Sequence, residues 1–84
     1  MIIKGLTAYT ILICPPSCKD ATDAKAYDTQ EEVGKWFTDA RNAGYIFQKK
    51  DGYTAAMLKG GAVEQIVWIE NPKGVKLSLD PWIE

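Results

Sequence analysis

Two cysteines are the first residues whose spacing invites chemistry. Cys14 and Cys18 flank Pro15, Pro16 and Ser17, a wider gap than the two residues of thioredoxin-like or zinc-ribbon sites. The 84-residue chain contains no histidine, so a zinc site within one copy would need two carboxylates beside the thiolates. A four-thiolate site shared by two copies stays open. So does a disulfide, because the intervening prolines can fold the chain back. Two unpaired thiols are the first expectation, and a redox- or metal-responsive element at the pair is the alternative.

The missing histidine also removes the usual partner of a serine or cysteine nucleophile. Carboxylate pairs remain at Glu31 and Glu32, and at Asp20 and Asp23. The first pair falls in a helical first turn and the second in a polar loop, where negative charge is expected without catalysis. Lys50-Asp51-Gly52 and Lys59-Gly60-Gly61 contain glycine, but neither follows a strand and opens a helix, as phosphate cradles do. Turn chemistry accounts for both. No catalytic residue, cofactor or metal is therefore assigned, and the chain is expected not to be an enzyme.

Binding residues are easier to find. Tyr45 and Phe47 lie two apart, with Lys49, Lys50, Lys73 and Lys76 on neighbouring segments. Aromatics on a sheet with basic rims stack single-stranded bases, so a nucleic-acid or nucleotide binder is one reading. Against it stand a net charge of -1 and a pI near 5.4. Tyr45 and Phe47 are also the side chains that a covering helix needs beneath it.

The elements that position these residues centre on residues 45–69. Residues 45–50 and 53–58 are strand-like runs joined by Asp51-Gly52, a strong signal for a type I′ hairpin turn. A two-residue loop places Lys50 opposite Tyr53, and Phe47 opposite Ala56. One face then carries Tyr45, Phe47, Ala56 and Leu58, and is assigned to the core. The other carries Ile46, Gln48, Lys50, Tyr53, Ala55 and Met57. Gly60-Gly61 makes a second turn, and residues 62–69 form a third strand rich in β-branched residues.

Residues 2–13 read as a first strand, and residues 11–13 form a continuous apolar run suited to the sheet interior. Pro15 and Pro16 stop it. Residues 19–28 lack a period and read as a mildly acidic surface loop. Thr29 and Glu32 form a capping box ahead of Val33, Trp36, Phe37 and Ala40, the stripe of an amphipathic helix that stops at residues 42–44. Asn71-Pro72-Lys73-Gly74 is a turn, and residues 75–79 alternate as an edge strand. Trp82 and Ile83 end on a tail that either plugs the core or contacts something else.

These elements predict an α+β fold. One amphipathic helix packs on a mostly antiparallel four- or five-stranded sheet, in the order β-loop-α-β-β-β-β, as a single small domain over residues 1–84. The first strand is free to pair parallel with a later one across the helix. Neither a membrane span nor a signal peptide is expected, which points to the cytoplasm.

One helix covers one sheet face, yet apolar residues fall on both. The expectation is a non-enzymatic interaction module that binds a protein partner or itself. In style it suits small accessory proteins, among them phage- or plasmid-borne inhibitors. The second sheet face and residues 14–28 supply the expected contacts: Lys50, Tyr53, Met57 and Trp82, with Asp20 and Asp23 facing a basic partner.

Overall fold

A computed structural model describes residues 9–17 and 23–83 of the chain. The fold is α+β, one helix on a five-stranded sheet. Its strands are β1 (Tyr9–Cys14), β2 (Asp23–Tyr27), β3 (Ile46–Lys49), β4 (Thr54–Lys59) and β5 (Ala62–Glu70). The helix, α1 (Gln30–Asn42), sits between β2 and β3 in the chain. Strand order across the sheet is β2-β1-β5-β4-β3, and every pairing is antiparallel. Among the described residues the parallel crossover left open by the sequence is therefore not used; residues 2–8 of the expected first strand lie outside them.

Local signals set the helix ends. The Thr29 hydroxyl accepts from the Glu32 amide at 3.1 Å, and the Glu32 carboxylate meets the same hydroxyl at 3.4 Å. At the far end the Gly44 amide donates to the Arg41 carbonyl and the Tyr45 amide to the Ala40 carbonyl. This is the paired closure of a Schellman motif, and it puts Gly44 at φ 103°, where a side chain would be strained.

The core lies between the helix and one sheet face. Val33 and Phe37 from α1 meet Ile11 and Ile13 of β1, Ala55 and Met57 of β4, and Val67 and Ile69 of β5. Phe37 sets its ring edge-on to Phe47 at 4.8 Å between centroids. Trp36, in the same apolar stripe, is only half-buried, and Val33 and Phe37 are the buried side chains of the helix.

Three expectations about elements are corrected. Asp51-Gly52 does not make a type I′ turn, because neither residue has positive φ. Residues 50–53 form a longer loop, in which the Asp51 carboxylate accepts from the Tyr53 and Thr54 amides at 2.7 and 2.8 Å. The type I′ geometry occurs instead at Gly60-Gly61, with φ 63° and 83°, between the paired residues Lys59 and Ala62. Part of the expected loop 19–28 is strand β2, which has no apolar period because it is an exposed edge. The expected strand 75–79 reduces to one bridge between Glu70 and Lys76; Leu79 turns away to donate to the Gly52 carbonyl.

The tail plugs the core. Leu79 and Ile83 are buried, and Trp82 stacks on Phe37 while its indole N–H donates to the Gln30 carbonyl at 3.1 Å. Arg41 clamps the same segment, donating to the Trp82 carbonyl at 2.7 Å. Among the described residues no helix is long and apolar enough to cross a membrane.

Candidate functional site

The longer hairpin loop decides which side chains share a face. Phe47 pairs with Met57, and Lys49 with Ala55, one residue off the expected register. A slip of one exchanges the two faces of β4 relative to β3. Ala55 and Met57 therefore turn toward the helix, while Ala56 and Leu58 join Ile46 and Gln48 on the second face.

A bulge in β5 acts in the same direction. Met57 pairs with Gln65 and Leu58 with Val63, so Glu64 is the extra residue. It moves Val63 out of step with Val67 and Ile69 and onto the second face. The Glu64 carboxylate accepts from the Tyr45 hydroxyl, and this bond is the first cause holding the Tyr45 phenol above its ordinary pKa.

The second face carries its own small apolar cluster. Cys14, Ala56 and Ile66 are buried in it, with Leu58 and Trp68 packed alongside. Ile46, 67% exposed, and Val63, 42% exposed, flank it. The cluster floors a pocket of about 470 Å³ lined by Pro16, Gln48, Lys49, Lys50, Ala56, Val63 and Ile66. That volume lies within the range of small-ligand clefts, roughly 300–1,000 Å³. Toward the tail the face ends at Trp68, whose indole N–H donates to Glu70 at 2.6 Å and whose ring lies 5.1 Å beneath the Lys76 ammonium.

The expected contact residues separate. Lys50 lines the pocket, and Tyr53 is exposed in the same hairpin loop. Met57 is corrected: at 2% exposed it belongs to the helix-side core. Trp82 is corrected too, since both its ring and its N–H are committed to that core. Asp23 is exposed at the start of β2 and pairs with the core residue Ile13, so it lies on the helix side of the far sheet edge. Asp20 lies outside the described residues.

The residues of the nucleic-acid reading divide: Lys50 lines the pocket and Lys76 lies over Trp68 on the second face, and the others lie elsewhere. Tyr45 and Phe47 pack against the core. Lys49 turns to the helix side and pairs with Asp80 at 2.8 Å. Lys73 is exposed in the turn after β5, away from the lining of the pocket.

Cys14 corrects the expectation of free thiols, because it is disulfide-bonded. Cys18 lies outside the described residues. Among the described residues no three acidic or cysteine side chains gather where they could hold a metal ion.

What the sequence reading missed here is the pocket floor. Ile66 and Ala56 are ordinary strand residues, and only the hairpin register and the Glu64 bulge bring them together with Val63. No family model matches this chain, and neither a curated protein nor a solved structure matches it.

Proposed function

We propose that this protein is a non-enzymatic interaction module, an accessory or inhibitory protein that works by holding another protein against the second face of its sheet. One observation carries the reading. The helix-side face is filled by α1 and the tail, whereas the opposite face has a buried apolar floor that opens into a pocket and is rimmed by exposed Ile46 and Val63. Apolar surface of this kind, bordered by polar and charged groups, is typical of protein interfaces. Lys50, on the pocket wall, is the polar contact this reading uses, and Tyr53 is exposed in the same hairpin loop.

The test compares the wild-type chain with Ile46→Asp/Val63→Asp, which places charge on exposed positions and spares the core. Light scattering reports self-association, and a pull-down from the source cell reports a foreign partner. The expected outcome is a complex of either kind that the double substitution abolishes. The reading fails if the wild type forms no complex, or if every complex survives the substitution.

A further inference from the structure

We propose that residues 54–63 have a second register, one residue away from the observed one, which would replace Val63 by Glu64 beside Ile46 on the second sheet face. Two irregularities flank β4, and a single shift accounts for both. On the β3 side, Asp51-Gly52 is suited to a type I′ turn, which would pair Lys50 with Tyr53 and Phe47 with Ala56. Phe47 pairs with Met57 instead, across a longer loop. On the β5 side, the type I′ turn at Gly60-Gly61 pairs Lys59 with Ala62 and Leu58 with Val63. Continued without interruption, that ladder would pair Met57 with Glu64 and Ala55 with Ile66. Met57 pairs with Gln65 and Ala55 with Val67 instead, beyond the Glu64 bulge. Turning residues 54–63 over by one step, relative to β3 and to residues 65–70, removes both irregularities at once.

The exchange leaves the pocket floor intact because Ala55 and Ala56 are adjacent. Ala56 lies between Gln48 and Ile66, and in the second register Ala55 would take that place. The core decides the balance. Met57, 2% exposed, lies beside Phe47 on the helix side, and Ala56 would replace it there. Leu58 and Val63 would cross to the helix side, next to Tyr45. The bulk lost beside Phe47 favours the observed register. Two acidic side chains also hold it. Asp51 binds the Tyr53 and Thr54 amides of the longer loop, and the Glu64 carboxylate accepts from the Tyr45 hydroxyl. The second register would gain a regular turn at Asp51-Gly52 and an unbulged ladder. It would also set a carboxylate where Val63 is 42% exposed, so the register decides whether that part of the face is apolar.

The test is amide chemical-exchange saturation transfer on the isotopically labelled full chain. Expected in the wild type is a minor state of about 1–10%, with shifts at residues 45–66 and none in β2. Met57→Ala removes bulk that only the observed register buries, so the ratio of minor to major state should rise roughly tenfold. In that variant, cross-strand contacts of Phe47 with Ala56 and of Ala55 with Ile66 should appear beside the original ones. Gly52→Ala leaves the observed register unhindered, because a β-carbon there meets no atom within 4 Å and φ is not positive. It strains a type I′ turn at Asp51-Gly52, so the ratio should fall roughly tenfold. An exchange-free wild type, minor-state shifts at random-coil values, or a ratio that Gly52→Ala leaves unchanged would each overturn the inference. So would a folded Met57→Ala chain with the original pairings alone. The wild-type and Gly52→Ala measurements decide the matter even where Met57→Ala does not fold.

Discussion

At the scale of single residues, Asp51 shows how one carboxylate replaces a backbone solution. The Asp-Gly pair is suited to a turn with positive φ, but the Asp51 side chain binds two amides of its own loop and the chain takes the longer route. Its carboxyl is held below the ordinary range, first by the Tyr53 amide; burial opposes this, and the Thr54 amide, Lys76 and Lys50 add to it. A carboxyl lowered on folding stabilises above its unfolded pKa, about 3.9, and loses that contribution as pH falls through the lower folded value. Asp51→Ala should therefore be less stable than the wild type in urea at about pH 6, and the gap should narrow toward about pH 2. Asp80 is also lowered, chiefly by its bond to Lys49, but it is present in both proteins and cancels in the difference. A gap unchanged across that range would show that the charge on Asp51 plays no part.

At the scale of elements, the glycines decide where the tight turn lies. Gly60 and Gly61 have positive φ, and Gly52 does not. A β-carbon at Gly52 would meet no atom within 4 Å. Gly52→Ala should be neutral or stabilise by up to about 1 kcal/mol, by restricting the unfolded chain. Gly60→Ala or Gly61→Ala should cost about 1–2 kcal/mol, the strain of a side chain in the left-handed region. Thermal melts of the three variants check this, and the reverse order would return the type I′ turn to Asp51-Gly52. The same residues explain what could be read from the sequence. The helix was legible because Thr29, Glu32 and Gly44 act within a few residues of themselves. The hairpin was legible as a hairpin, but its register was not, because that turned on which amides Asp51 captured. With the register went Met57, whose place in the core follows from a shift of one residue, and Ala56, whose place in the pocket follows from the same shift. β2 was hidden because Asp-Ala-Lys-Ala-Tyr becomes a strand only by pairing with β1. Lys50 and Ile46 were found on the correct side because β3 kept its orientation.

At the scale of the whole molecule, the two sides of the sheet should answer differently to the same kind of insult. The helix side is closed by residues distant in sequence: Leu79 and Ile83 are buried beside Phe37, and Trp82 is held by Gln30 and Arg41. Removing bulk there leaves a cavity that the surroundings only partly fill, so Leu79→Ala should cost about 2–5 kcal/mol in urea denaturation. The second side has exposed apolar residues, Ile46 and Val63, flanking its buried cluster. Ile46→Asp meets water in the isolated chain, and its stability should stay within about 0.5 kcal/mol of the wild type. The tail and the second face would then be separable: Leu79→Ala should retain the complex at temperatures where it is folded, and Ile46→Asp should lose it while remaining folded. A large loss of stability from Ile46→Asp alone would mean that this side chain is covered within the isolated chain. The apolar side of the sheet would then be structural filling, and no surface would remain there for a partner to occupy.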